Sequence, residues 1–260
     1  MGKFFLVSKK SLLEFSKARG LISRNGIAFS LLMSIAPMVA LLTIVSINVL
    51  KSSAWIQQQL TSIIPIEFVE AFIKAGTNTA SLSFIPFIVG TVLTLYTASR
   101  GFYGIMLIFA EDYEDEIKSF AFLTRSILAV VYFCIIIIVV VGLTTFLEFY
   151  LADIIKVINY LITILVYYLI TMVFFMIVNY PRKPIRTFRV GAAILALGLL
   201  FMSRFFTYIV TNFFNYSDLY GGLAYFFVFL LALVWMSMLI YYAHCVNVAR
   251  YKIERGMYNE

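Results

Sequence analysis

Arg204 stands alone as a charge inside an apolar run at 190–210. If that run crosses a bilayer, the charge costs about 2.5–3.5 kcal/mol on insertion scales. At about 1.5 Å of rise per residue it lies about 20 Å from the inner end of its span, inside the outer leaflet. A guanidinium held there can grip a phosphate or carboxylate bidentately, as a site for an anionic amphiphile would need. It can also snorkel to the outer interface, or pair with a backbone carbonyl or an acid such as Asp218. The expectation carried forward is that it faces the bundle interior or a lateral cavity.

Arg100 is the second candidate. The residues after it stay apolar up to Ala110. If the helix continues that far, Arg100 lies about 15 Å inside the span. If Gly101 and Gly104 break the helix, it is an interfacial anchor instead. Tyr208, Asn212 and Tyr216 lie close to Arg204 in sequence, followed by Ser217, Asp218, Tyr220, Gly221 and Gly222. They could form a site mouth, or an aromatic belt with a tight turn. Ser34 lies with Ser30, Thr43, Ser46 and Asn48 on a segment that also holds Pro37. Pro37 removes the amide that would bond the Met33 carbonyl, and Ser34 can help re-satisfy the backbone. Such a helix can line a cavity or pack through its small residues. The substrate-binding set is therefore Arg204, Arg100, Tyr208, Ser34, Asn212 and Tyr216.

Catalytic chemistry finds no comparable support. The acidic cluster Glu111, Asp112, Glu114, Asp115 and Glu116 lacks the spacing of a calcium loop and reads as a solvated face. His244 is the single histidine and reads as structural or interfacial. No zinc-protease, redox-cysteine or serine-elbow motif occurs. No enzyme activity, cofactor, metal or nucleic-acid partner is expected. Cys134 and Cys245 both fall in apolar runs, so no disulfide staple is expected.

These residues must be positioned by membrane elements. Hydrophobic residues make up 63% of the chain and charged residues 13%, with mean hydropathy +0.98. A soluble domain carries about 25% charged residues. Runs near 27–50, 82–108, 121–147, 157–179, 189–210 and 222–246 each reach the length of about 20 residues that a spanning helix needs. Uninterrupted stretches such as 135–141 exclude the alternation of barrel strands. The fold class is all-α, a single integral membrane domain over 1–260 with six transmembrane helices.

Lys3, Lys9, Lys10, Lys17, Arg19 and Arg24 precede the first span. Arg100, Lys118 and Arg125 flank the loop after the second. Arg182, Lys183, Arg186 and Arg189 follow the fourth, and Arg250, Lys252 and Arg255 the last. The alternate loops hold only Lys51, Lys74 and Lys156. The net charge of +7 is thus a topological signal, and both termini are expected in the cytoplasm. No cleaved signal is expected, because the basic stretch 1–24 shows no small-residue cleavage motif. Within 1–25, residues 3–22 predict a helix on the cytoplasmic leaflet: Phe4, Phe5, Val7, Leu12, Phe15 and Ile22 share a face opposite Lys9, Lys10 and Lys17. Residues 51–80 predict one or two short extracytoplasmic helices interrupted by Pro65. Gly191 and Gly198 share a packing face.

Several segments together resemble the YihY/BrkB family of bacterial inner-membrane proteins, once catalogued as ribonuclease BN. They are AFSLLMSIAP at 28–37, TASRG at 97–101, PRKP at 181–184, YIVTNFFNYSDLYG at 208–221 and LVW at 233–235. The family tends to read Gly-Ala-Glu-x-Asn near its C-terminus, where this chain has Ala243, His244, Cys245, Val246 and Asn247. The missing glutamate removes that carboxylate from any role here. The resemblance implies six spans, cytoplasmic termini and a bacterial inner-membrane location. It also implies transport of lipids or lipid-linked envelope precursors rather than the nuclease activity of the old label. Membrane lipids and an anionic amphiphilic substrate are then the expected partners, and a non-transporting envelope assembly protein is the alternative. Oligomeric state is not legible.

Overall fold

The computed structural model of the chain describes residues 3–49, 84–115, 119–151, 156–179, 183–213 and 217–257. They form seven helices: α1 (Lys3–Ser16), α2 (Ala18–Val49), α3 (Phe84–Asp112), α4 (Ser119–Leu151), α5 (Lys156–Val178), α6 (Ile185–Phe213) and α7 (Ser217–Glu254). No strand occurs among the described residues. Runs of β-branched residues such as 135–141 are weak helix formers in water. In lipid each backbone amide must be satisfied within its own segment, so they are helical. Among the described residues four stretches are long and apolar enough to cross a membrane: Val89–Asp112, Leu161–Val178, Ile185–Phe206 and Phe227–Glu254. Phe120–Ile136 of α4 is apolar but shorter.

Each long helix packs on the next in chain order, from α2 through to α7, and α7 returns to α2. The six therefore close a ring. α1 lies outside it, against the C-terminal half of α7, with Phe15 edge-on to Tyr242 at 5.6 Å. Both ends of the described chain thus sit at one end of the bundle, the terminal end.

The ring is filled at this end by stacked rings from four helices. His244 of α7 stacks on Phe109 of α3 at 3.6 Å and 6°. Phe109 stacks on Phe175 of α5, and Phe175 on Phe188 of α6, at 6.2 and 6.3 Å. In lipid such close packing, rather than water exclusion, holds helices together.

All of the long helices except α5 are longer than the expected spans, since a helix does not stop where the hydrocarbon does. The N-terminal expectation needs correction. A bend at Lys17 ends α1 at Ser16, and residues 18–22 begin α2. Phe15 packs on α7, while Phe5, Leu12 and Leu13 are exposed. The expected short helices at 51–80 lie outside the described residues.

Candidate functional site

Arg204 does not face the bundle interior, which corrects the first of its two expected placements, the interior or a lateral cavity. Its α6 neighbours Leu197, Phe201 and Tyr208, at helical spacing on the same face, are all exposed large side chains, and Arg204 is exposed with them. The buried face of α6, with Phe188, Ala192, Leu195 and Met202, points the other way. The charge of Arg204 acts on Tyr167 of α5. Arg204 lies about 28 Å along α6 from Ile185.

Arg100 is its counterpart. α3 runs unbroken through Gly101 and Gly104 to Asp112, so these glycines do not break the helix. Arg100 is about 18 Å from Asp112. It too lies on an exposed stripe, with Val89, Leu93 and Tyr96. Its Nε donates to the Tyr96 hydroxyl at 3.0 Å, and its guanidinium sits 4.9 Å from the Tyr96 ring and 5.7 Å from that of Tyr103. α3 and α6 run in opposite directions, yet both arginines have a tyrosine one turn toward the far end of the bundle. Tyr96 precedes Arg100 by four residues and Tyr208 follows Arg204 by four.

Ser34 belongs to neither stripe. It is buried, and its hydroxyl donates to the Ser30 and Ala98 carbonyls at 2.9 and 3.0 Å. It joins α2 to α3, so it lies on no polar path and does not serve the Met33 carbonyl. Gly101 makes this crossing possible, because a Cβ there would collide with Ser34 Oγ and the Ser30 carbonyl oxygen. Asn212 lies in α6, but its side chain is outside the described set, and Tyr216 is outside it altogether. The structure thus brings Arg204 and Tyr208 onto one face, puts Arg100 on another helix, and separates both from Ser34.

The terminal end holds a polar cluster that the sequence reading treated as a solvated run. Asp112 lies 3.2 Å from Arg19 and 3.3 Å from His244 Nε2, without hydrogen-bond alignment to the latter. Glu111 pairs with Arg19 at 3.1 Å, and Glu114 with Lys252 at 2.6 Å. Asp115 pairs with Lys183 at 2.6 Å, with side chains only 12% and 7% exposed. Lys183 also lies 5.1 and 5.0 Å from the rings of Tyr113 and Tyr251. Burial, reinforced by the Asp115 charge, pushes the Tyr113 phenol well above its ordinary pKa. The Lys252 hydrogen bond and charge hold the Glu114 carboxyl below its own.

A cavity of about 70 Å³ opens among Glu14, Arg19, Asp112, Tyr241, Cys245 and Lys252. No group of three or more metal-ligating side chains is arranged for an ion among the described residues. Bases answer Glu111, Asp112, Glu114 and Asp115, and the contacts tie α2, α3, α7 and the segment before α6 together. The cluster therefore reads as a clamp. The legible signal was that these acids end α3 and follow it directly, opposite the bases that precede α6 and end α7.

The sequence segments quoted above now have places: Ser30, Ser34 and Gly101 at one crossing, and Arg204 with Tyr208 on one outward face. The family model described as virulence factor BrkB matches residues 12–257. The chain belongs to the virulence factor BrkB family. No curated protein and no solved structure matches it. In this BrkB-family chain Asn247 accepts the Gly191 amide at 3.0 Å, fixing α7 against α6. A Cβ at Gly191 would collide with Asn247 and the Ala243 carbonyl, and Gly198 faces Leu239 of the same helix. Cys245 stands on the wall of the small cavity.

Proposed function

We propose that this BrkB-family chain is a six-span protein of the bacterial inner membrane, with both termini cytoplasmic. In this reading it binds and moves an anionic amphiphile such as a lipid or lipid-linked envelope precursor. The terminal end then faces the cytoplasm, in keeping with its bases. The observation that carries the reading is the exposure of Arg100 and Arg204 on the outward faces of two apolar helices. A charge facing lipid there is costly, and an anionic headgroup offers its strongest compensation. The tyrosine beside each arginine adds a hydroxyl and a ring face for the same headgroup.

Because stacked rings fill the terminal end of the ring of helices, the reading routes the amphiphile along the outer surface there. Partners are membrane lipids and the amphiphile, and the reading assigns no nuclease chemistry, cofactor or nucleic acid.

Proteoliposomes containing fluorescent phosphatidylglycerol or phosphatidylcholine test it. The chain should speed transbilayer movement of phosphatidylglycerol, and Arg100→Gln with Arg204→Gln should slow it about tenfold or more, the worth of one charge-assisted hydrogen bond. Equal rates with and without protein would remove the transport claim. A second reading, a non-transporting assembly protein, is favoured by the same filled terminal end. The arginines would then meet a carboxylate on a partner helix, and the double variant would lose that partner in pull-down without any change in lipid movement.

A further inference from the structure

A second concavity lies away from the arginine stripes. It is a groove of about 280 Å³ between α1, α6 and α7, lined by Val7, Val190, Ile194, Tyr242, Val246 and Arg250, with Ser8, Ile253 and Glu254 at its margins. Its floor is apolar. Val190 lies next to Gly191 and Val246 next to Asn247, where α6 and α7 touch at the terminal end. The rim is basic. Arg186 is exposed one turn from Val190 on the same face, and Lys9 follows Ser8 and is exposed. Arg250 gives its Nε to Glu254 at 2.8 Å, and its two Nη groups make no hydrogen bond among the described residues. Glu254 is the one acid on the lining.

We infer that this groove seats one acyl chain of an anionic phospholipid from the leaflet at the terminal end, with its phosphate at the rim formed by Arg186 and Arg250. The volume falls just below the range of roughly 300–1,000 Å³ typical of small-ligand pockets, so it suits a chain segment and leaves the headgroup outside. A basic rim above an apolar slot between helices is the chemistry that holds acidic phospholipids. The phosphate answers the Nη groups, which meet no hydrogen-bond acceptor among the described residues, while the neighbouring glutamate keeps Arg250 in place. α1 forms one wall, so a seated lipid ties the N-terminal helix to the ring. This site is separate from the surface used in the proposed transport reading and does not depend on it.

Native mass spectrometry of the full chain, released from nanodiscs of equal phosphatidylglycerol and phosphatidylcholine, tests the inference. The wild type should retain phosphatidylglycerol about tenfold over phosphatidylcholine. Ile194→Trp, which fills the floor, should abolish retention. Arg186→Gln with Arg250→Gln, at the rim, should leave binding but erase the headgroup preference. Both variants are made in a parent carrying Arg100→Gln with Arg204→Gln, which should keep the tenfold preference while removing any headgroup held at those stripes. No anionic preference in the parent, retention unaltered by Ile194→Trp, a headgroup preference unaltered by Arg186→Gln with Arg250→Gln, or a second copy of the chain in place of lipid would each overturn it.

Discussion

Lys183 and Asp115 carry the clearest residue-level consequence. The pair is largely withdrawn from solvent, and removing one member of a buried pair costs about 3–5 kcal/mol, because the other charge is left stranded. Lys183→Met should therefore lower the melting temperature in detergent sharply, and Lys183→Met with Asp115→Leu should recover most of the loss. Gly101→Ala should also destabilise, by about 1–3 kcal/mol, through overpacking against Ser34 and Ser30. Thermal unfolding reads both.

Glu114 sets a pH dependence. Its folded pKa is depressed, so its contribution is present above the ordinary carboxylate range and lost as pH falls through the lowered value. The melting difference between wild type and Glu114→Gln should be small at neutral pH, since the group is exposed, and should vanish in acid.

The place of Arg204 along its helix was legible from sequence, because an apolar run fixes position along a helix. Its direction was not, since lipid is as apolar as a core and Leu197 and Phe201 suit either side. Ser34 misled for a related reason: a hydroxyl in a span serves a cavity or a carbonyl equally well, and only the close approach at Gly101 decides.

At the scale of elements, the long helices were legible because each apolar run exceeds the spanning length. The division of residues 3–22 was not, because Lys17 carries no strong breaker signal, and the amphipathic face of α1 proved to be shared between α7 and the exterior. Docking of α1 rests on Phe15, which meets Tyr242 edge-on and lies 4.3 Å from the Arg24 guanidinium. An aromatic pair is worth about 0.5–1.5 kcal/mol beyond its burial. Phe15→Ala should therefore speed amide exchange in α1 about tenfold while leaving the long helices protected. Unchanged exchange would place the docking energy elsewhere, on Ser11 or Val7. The acidic run after α3 was read as solvated because charge runs usually are; its bases come from segments distant in sequence, and only the closed ring brings them near.

For the whole molecule, the closed ring and its filled terminal end set what the protein can do. The packed terminal end closes the centre there, and Arg100 and Arg204 are displayed on the exterior. Topology can be checked in a background with Cys134 and Cys245 replaced by Ser: a cysteine at Ser53 should react with an impermeant thiol reagent in intact cells, and one at Met257 only after permeabilisation. The central claim is that Arg100 and Arg204 receive an anionic headgroup on the outer surface of the bundle. Photo-crosslinking the reconstituted chain with phosphatidylglycerol carrying a headgroup photoprobe, then mapping by peptide mass spectrometry, tests it most directly. The account predicts adducts around residues 96–103 of α3 and 201–208 of α6, lost in Arg100→Gln with Arg204→Gln. Adducts confined to α1 and the terminal end, and indifferent to both substitutions, would contradict it.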